Sequence, residues 1–129
     1  MIDYEYLKNT DNPKSILIAE AGINHDGDLD KAKKMVDVAV EAGADYVKFQ
    51  SFKAKKLVTS NALTSSYIDE GSHYGESFQD LLTRLELSEV AHRELKAYCD
   101  IKNIKFLSTA FDNDSFDFLL DLGIDVVKV

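Results

Sequence analysis

Residues 18–28 read I-A-E-A-G-I-N-H-D-G-D, and this stretch sets the expected fold and chemistry of the chain. The apolar run that begins at Ile16 predicts a buried strand. A strand that only stabilised a core would end in ordinary turn residues. This one is followed by groups that can bind ligands, move protons or allow tight turns, namely Glu20, Asn24, His25 and Gly27. The first strand is therefore expected to open onto a functional site.

The pattern of an apolar strand followed by an amphipathic helix recurs along the chain. Apolar, β-branched or aromatic runs predict strands at 15–19, 45–49, 104–107 and 124–129. Helical spacing of apolar residues predicts helices at 29–42, 77–86, 89–102 and 114–122. Asp28 and Ser88 can cap two helices, and Gly43 and Gly123 can end two. Strands that alternate with helices indicate a parallel α/β sheet with right-handed crossovers.

Three of these helices each present an apolar face that is expected to pack on the sheet. The residues expected in the core are Leu29, Ala32, Val36 and Ala39 in the first helix, Val90, Leu95, Tyr98 and Cys99 in the third, and Phe116, Leu119 and Leu120 in the fourth. The stretch 51–76 breaks the alternation, being rich in Ser, Thr, Lys and Gly. A stretch of that length is uncommon in a compact domain unless it binds something or moves, although a disordered surface insertion would have the same composition.

Polar residues stand where each predicted strand ends. They are Glu20 after the first strand, Lys48 and Gln50 at the second, Ser108 and Thr109 at the third, and Lys128 at the fourth. The C-terminal ends of parallel strands share one edge of the sheet, so these residues are expected to converge on one site. Taken singly, each also has a structural interpretation, such as a salt bridge for Glu20 or a turn for Thr109.

The two lysines are more informative together than singly. Burying Lys48 in a central strand without an acidic partner or a ligand would be costly. Lys48 and Lys128, with hydroxyl groups between them, suit the phosphate and carboxylate groups of a small anion. Glu20 could then act as an acid or base, or hold a hydroxyl group of a second substrate.

The composition limits the classes of partner. The chain has 129 residues and a formal net charge of -8, which disfavours nucleic acid and anionic membranes as partners. It has one cysteine, no apolar run of the roughly 20 residues needed to span a bilayer, and no signal-peptide pattern at its start. These features predict a soluble, cytoplasmic protein of one domain.

Four blocks of the sequence resemble those of the N-acetylneuraminate (sialic acid) synthases. The blocks are I-A-E-A-G-I-N-H-D-G-D, E-A-G-A-D-Y-V-K-F-Q, F-L-S-T-A-F-D and D-V-V-K-V, and the resemblance covers residues 14–129. This family also includes legionaminic and pseudaminic acid synthases and a spore-coat polysaccharide biosynthesis protein. The resemblance implies a (β/α)8 barrel followed by an antifreeze-like domain. Because a barrel needs about 250 residues, residues 1–129 are expected to form its N-terminal half, without the second half or the C-terminal domain.

The resemblance also implies an activity. Synthases of this family condense phosphoenolpyruvate with an N-acylated hexosamine, such as N-acetylmannosamine, to give a nine-carbon 2-keto acid and phosphate. A divalent metal, manganese or magnesium, polarises the aldehyde, and its ligands are expected downstream of this chain. The full-length enzyme is expected to be a homodimer, because the antifreeze-like domain reaches the partner subunit's site. The fragment alone is expected to be inactive.

The resemblance assigns roles to residues of this chain by motif. Glu20 and Lys48 would be catalytic, with Glu20 at the sugar and Lys48 at phosphoenolpyruvate. The other expected substrate-binding residues are Gln50 for the sugar, Thr109 and Lys128 for phosphoenolpyruvate with Ser108 as a neighbour, and Asn24 and His73, or Tyr74 in place of His73, at the pocket. Asn24 and His25 either order the loop after the first strand or line the pocket, with a structural role favoured for His25.

Two alternatives remain open at this stage. A Schiff-base aldolase on the same barrel would use Lys48 or Lys128 as its amine and would need that lysine in an apolar pocket. A half-barrel without catalysis would persist as an assembly module and bind neither substrate.

Overall fold

The structure, a computed structural model, describes residues 15–58 and 77–128. Four parallel strands form one sheet in chain order: β1 (Ile18–Gly22), β2 (Tyr46–Ser51), β3 (Lys105–Ala110) and β4 (Val127–Lys128). The helices are α1 (Leu29–Glu41), α2 (Ala54–Leu57), α3 (Phe78–Leu85), α4 (Glu89–Ile101) and α5 (Asn113–Asp121). The predicted parallel α/β arrangement is therefore confirmed.

The helix ends follow local sequence signals. Asp28 and Ser88 accept hydrogen bonds from backbone N–H groups of α1 and α4, as predicted. Gly43 and Gly123 follow α1 and α5 with φ values of 72° and 73°, in the left-handed region that glycine adopts without strain. The predicted bounds of these helices therefore agree with the structure to within one residue.

The strands extend further toward their C-terminal ends than predicted. β1 was expected at 15–19 and lies at Ile18–Gly22, while β2 and β3 continue to Ser51 and Ala110. The apolar pattern placed each strand end at its first polar residues. In the structure those polar residues pair with the neighbouring strand, so that Glu20 lies opposite Lys48 and Gln50 opposite Thr109. β4 is shorter than predicted, at Val127–Lys128.

The main hydrophobic core lies between one face of the sheet and the helices. Phe49 and Phe106 stack on that face with their ring centroids 5.7 Å apart. The fully buried helix residues that meet them include Val36, Leu95 and Leu119. Leu29 and Tyr98 pack at the edge of this core.

Three core predictions are wrong. Val90 is 74% exposed, and Phe116 and Leu120 are also exposed. In α4 the buried face runs through His92, Leu95 and Cys99, and in α5 it runs through Ser115, Phe118 and Leu119. Both faces follow spacings of three and four residues, so the neighbouring apolar positions turn away from the sheet. Phe116 and Leu120 each follow a buried residue of α5 and point outward, whereas Val90 lies two positions before the buried His92. Small and polar residues, such as Ser115 and His92, occupy the buried face in their place.

A second, smaller apolar cluster joins the start of the irregular stretch to the loop after β1. Its buried members are Phe52, Ala54, Leu81 and Leu85, with Ile23 packed against them. The short helix α2 lies inside the stretch 51–76 that was expected to be irregular, and Ser51 belongs to β2. The rest of that stretch, residues 59–76, lies outside the described residues.

Asp112 ties the end of β2 to the start of α5. Its carboxylate accepts hydrogen bonds from the backbone N–H of Ser115 (2.9 Å), the hydroxyl group of Ser115 (2.8 Å) and the backbone N–H of Lys53 (2.8 Å). Burial raises the pKa of Asp112, but these hydrogen bonds outweigh burial, so the pKa is lowered overall.

Replacing Asp112 with alanine is expected to destabilise the chain more than removing a simple helix cap. The loss should be about 2–3 kcal/mol of unfolding free energy, because a cap and a bond between segments are both removed. Ser88→Ala, which removes a single capping bond, should cost about 1 kcal/mol. Urea unfolding at pH 7 compares the two. Folding lowers the pKa of Asp112. Its contribution to the free energy of unfolding should therefore be fully present above the pKa of an unfolded aspartate, near 4, and be lost as the pH falls below that value. Equal losses in the two variants would contradict the linking role.

Within the two described stretches, no helix is both long and apolar enough to cross a bilayer.

Candidate functional site

The two faces of the sheet carry different chemistry. Successive side chains of a strand point to opposite faces. One face packs on the helices. The other, called here the site face, carries Glu20 on β1, Lys48 and Gln50 on β2, Thr109 on β3 and Lys128 on β4. The register places Glu20 beside Lys48, Gln50 beside Thr109, and Thr109 beside Lys128.

Glu20 and Lys48 form an ion pair across the first two strands. The lysine side chain is only 11% exposed, whereas the glutamate side chain is 55% exposed. Lys48 therefore has the acidic partner that a buried lysine requires. Because Glu20 is accessible, an anionic ligand could take its place beside the ammonium group.

An open cavity of about 470 Å³ lies over this pair. The residues that line it are Ile18, Glu20, Lys48, Leu107, Val126, Val127 and Lys128. Two ammonium groups and one carboxylate thus border a mostly apolar hollow, which is the arrangement that orients a small charged ligand.

Thr109 lies between the two lysine-bearing strands. Its side chain is buried, and its hydroxyl oxygen has no hydrogen-bond partner among the described residues. A buried hydroxyl group without a partner is costly, so a ligand that accepted a hydrogen bond from Thr109 would recover that cost.

A bulge in β1 shapes the site beside Gln50. The pairing register with β2 shifts between Glu20 and Gly22, and Gly22 has a φ of 59°. A Cβ atom at Gly22 would lie 3.6 Å from Gln50 Nε2 and 3.7 Å from Glu20 Oε1. The amide of Gln50 and the carboxylate of Glu20 therefore lie around the same small residue.

The structure does not bring Ser108 to the site face. Its side chain is buried among the helices, and its hydroxyl group lies 2.7 Å from Ser51 Oγ. The sequence places Ser108 and Thr109 side by side, but the pleat sends them to opposite faces.

The loop after β1 separates the roles of Asn24 and His25. Asn24 is exposed and does not line the cavity over the ion pair. His25 is fully buried against Phe49 on the helix side, and its Nδ1 accepts a hydrogen bond from the Gly27 N–H (3.0 Å). Burial, reinforced by the nearby His92, lowers the pKa of His25 to about 4, so the ring is neutral at pH 7. These contacts support the structural interpretation of His25. His73 and Tyr74 lie outside the described residues.

Residues that could hold a metal ion do not cluster in the part of the chain that the structure covers. Among residues 15–58 and 77–128, no group of three or more His, Cys, Asp and Glu is placed to do so. The described residues therefore do not fit a complete metal site.

Two polar residues of the helix side were missed from the sequence. Ser51 lies 2.8 Å from His92 Nε2, and both side chains are buried. His92 precedes Leu95 by three positions and Cys99 by seven, so helical spacing could have placed it on the buried face. No comparable signal marks Ser51, because its burial depends on the length of β2.

Known proteins resemble this chain in sequence over most of its length. Residues 35–129 match the NeuB family. The chain is 45% identical over 116 residues to the N,N'-diacetyllegionaminic acid synthase of Campylobacter jejuni, covering 90% of this chain and 35% of that protein. It is 36% identical over 113 residues to the human N-acetylneuraminate-9-phosphate synthase, covering 88% of this chain and 31% of that protein.

Solved structures agree with these relatives. The N-acetylneuraminic acid synthetase of Leptospira borgpetersenii, crystallised with citrate, superposes with a TM-score of 0.70 at 29% identity, over 89% of this chain and 36% of that one. The spore coat polysaccharide biosynthesis protein spsE of Bacillus subtilis gives a TM-score of 0.64 at 35% identity, over 90% of this chain and 29% of that one. The chain thus spans about a third of the length of these relatives. With four parallel strands that match part of their barrels, and a family match over most of its length, this chain belongs to the NeuB family.

Proposed function

We propose that this chain supplies the phosphoenolpyruvate site and part of the sugar site of a synthase. The enzyme would condense phosphoenolpyruvate with an N-acylated hexosamine, N-acetylmannosamine or a relative, to give a nine-carbon 2-keto sugar acid and phosphate. Membership of the NeuB family supports the reaction class. The observation that carries the proposal is the buried Lys48, paired with an accessible Glu20 on the face that also holds Thr109 and Lys128.

The positive groups of the site face account for anion binding. Lys48 and Lys128 border the same cavity, and Thr109 offers a hydroxyl group between their strands. Two ammonium groups and a hydroxyl donor match the phosphate and carboxylate of phosphoenolpyruvate. This local positive charge would let an anionic substrate bind although the net charge of the chain is -8.

The reaction requires a carbon–carbon bond and a bond from C2 to a water oxygen to form, and the bond from C2 to the phosphate oxygen to break. C3 of phosphoenolpyruvate attacks the aldehyde carbon of the open-chain sugar, whose oxygen takes up a proton and becomes a hydroxyl group. C2 is left with positive character and is attacked by water, which loses a proton. The new C2 hydroxyl group then loses its proton and becomes the keto oxygen, as the bond from C2 to the phosphate oxygen breaks and phosphate leaves with the bonding electrons. Glu20 is the accessible acid–base group on the site face, and Gln50 lies beside it to hold a sugar hydroxyl group.

A divalent metal, manganese or magnesium, is the cofactor that the resemblance implies. The described residues do not form a complete metal site, and the resemblance implies that the ligands lie in the second half of the barrel. The full-length protein would contain that second half and the antifreeze-like domain, and would act as a homodimer. Residues 1–129 alone would then bind substrate without turning it over.

Calorimetric titration of the chain with phosphoenolpyruvate tests the proposed anion site. Thr109→Val should weaken binding by about tenfold, because a hydroxyl donor to a charged group is lost from a buried position. Thr83→Val is the matched control, because Thr83 lies on α3, away from the site face, and its hydroxyl group donates to the Gln79 carbonyl group of the same helix.

Two outcomes of that titration, and one of a separate trapping experiment, would count against the proposal. Equal affinities of the two threonine variants, or the absence of heat with the unmodified chain, would show that these strand ends do not form the site. Trapping of pyruvate on Lys48 or Lys128 by borohydride would instead identify a Schiff-base aldolase.

A further inference from the structure

A continuous network of hydrogen bonds runs through the layer between the sheet and α4. Ser108 Oγ on β3 lies 2.7 Å from Ser51 Oγ on β2, which lies 2.8 Å from His92 Nε2 on α4. His92 Nδ1 lies 3.0 Å from the Ser88 carbonyl oxygen, at the start of the same helix. All three side chains are at least 97% buried, so no substrate reaches them.

The neutral form of His92 sets one direction for each hydrogen bond of this network. A carbonyl oxygen can only accept, so His92 Nδ1–H donates to Ser88. Burial lowers the pKa of His92, which favours the neutral ring. With Nδ1–H donating to Ser88, the Nε2 of the neutral ring accepts from the Ser51 hydroxyl group. The Ser51 oxygen is then free to accept from the Ser108 hydroxyl group. Each buried polar atom of these three side chains has a partner, and removing any member would leave others unpaired.

The two serines are sequence neighbours of two proposed substrate-binding residues. Ser51 follows Gln50 on β2, and Ser108 precedes Thr109 on β3, while Gln50 and Thr109 lie opposite each other in the register. The serines and the substrate-binding residues occupy opposite faces of the same strand ends. Fixing the serines to each other and to a helix therefore fixes where Gln50 and Thr109 point.

We propose that His92 is a positioning residue, which acts through Ser51 and Ser108 to hold Gln50 and Thr109 in register at the site face. The effect of this role on substrate binding rests on the proposed function, whereas the positioning of Gln50 and Thr109 is a property of the fold alone. The strand ends are where a sheet of this kind would otherwise fray, because each lies next to a loop. Ligand-binding geometry is lost when such supporting contacts are loosened.

Amide hydrogen exchange, measured by NMR on the chain, tests the positioning. Ser51→Ala should raise exchange at Gln50 and Thr109 by about tenfold relative to the rest of β2 and β3, since one missing buried hydrogen bond is worth about that factor. Ser51→Thr keeps a hydroxyl group and should restore the slow exchange. Cys99→Ala is the matched control, because Cys99 is fully buried on α4 in the same core but is not a member of this hydrogen-bond network. It should lower global stability without singling out the strand ends.

A second measurement separates this proposal from the proposed function. Phosphoenolpyruvate affinity should fall by about fivefold in Ser51→Ala and remain unchanged in Cys99→Ala and Ser51→Thr. If the unmodified chain bound no phosphoenolpyruvate, the proposed anion site would fail while the exchange comparison would still decide the positioning role. Equal exchange changes at Gln50 and Thr109 in Ser51→Ala and Cys99→Ala would overturn the positioning role, as would failure of Ser51→Thr to restore slow exchange in a chain that stays folded.

Discussion

Replacing Gly27 with alanine is expected to lower the free energy of unfolding by about 3–5 kcal/mol, a large part of the stability of a domain of this size. Two costs add. Gly27 has a φ of 76°, which costs a residue with a side chain about 1–2 kcal/mol. A Cβ atom there would also lie 2.1 Å from the carbonyl oxygen of Arg84, well inside any permitted contact.

The second cost is severe because the obstructing atom belongs to the backbone. Arg84 is in the last turn of α3, and Leu85 beside it is buried in the small cluster that includes Ile23. Relief of the overlap would move α3 away from the loop after β1 and open that cluster. The same movement would disturb the Gly27 N–H bond to His25.

Gly43→Ala provides the control for this prediction. Gly43 has a φ of 72°, but a Cβ atom there would meet nothing within 4 Å. Only the conformational cost applies, so the loss should be about 1–2 kcal/mol. Urea unfolding of both variants separates the two terms. If Gly27→Ala were no more destabilising than Gly43→Ala, the close approach of the loop to α3 would be wrong.

Much of the fold could be predicted because the signals are local. The cap at Asp28, the glycine after α1 and the apolar spacing between them fix that helix without reference to the rest of the chain. Strand ends were harder to place, because the pairing of Glu20 with Lys48 depends on a neighbour that is distant in the sequence. The short helix α2 was missed, since four residues give too little periodicity to detect.

The candidate site could be predicted only as a set of residues. Strand-end position indicated Glu20, Lys48 and Thr109, which the structure places on one face of adjacent strands. It could not separate Thr109 from Ser108, because adjacent residues of a strand differ only in the face to which they point. That choice depends on which side the helices cover, which is a property of the whole fold.

Lys48→Met is expected to weaken phosphoenolpyruvate binding by about 10- to 150-fold. A hydrogen bond between charged groups contributes about 1.5–3 kcal/mol, and the ammonium group of Lys48 is the buried cation of the site. Methionine keeps the length and most of the volume of the side chain. Stability should change little, because replacing a buried charge with an apolar group removes its desolvation cost together with its ion pair. Calorimetric titration and thermal unfolding of the same samples measure both effects.

Glu20→Gln should have the opposite effect and strengthen the binding of phosphoenolpyruvate. Glu20 holds the Lys48 ammonium group in the ligand-free chain, so an incoming phosphate or carboxylate must compete with it. Removing the carboxylate should raise phosphoenolpyruvate affinity by several-fold. It should also lower thermal stability, because Lys48 would remain 89% buried without its counter-ion, and saturating phosphoenolpyruvate should restore that stability.

The double variant Lys48→Met/Glu20→Gln decides whether the two residues act as one unit. If Glu20 influences the anion only through Lys48, adding Glu20→Gln to Lys48→Met should give no further gain in affinity. The coupling free energy between the two residues should then equal the gain from Glu20→Gln alone, about 1 kcal/mol for a several-fold change in affinity. Additive effects would mean that Glu20 repels the anion directly and that the ion pair is incidental. Unchanged affinity in Lys48→Met would contradict the assignment of the anion site itself, because no other lysine on the site face is buried among the described residues.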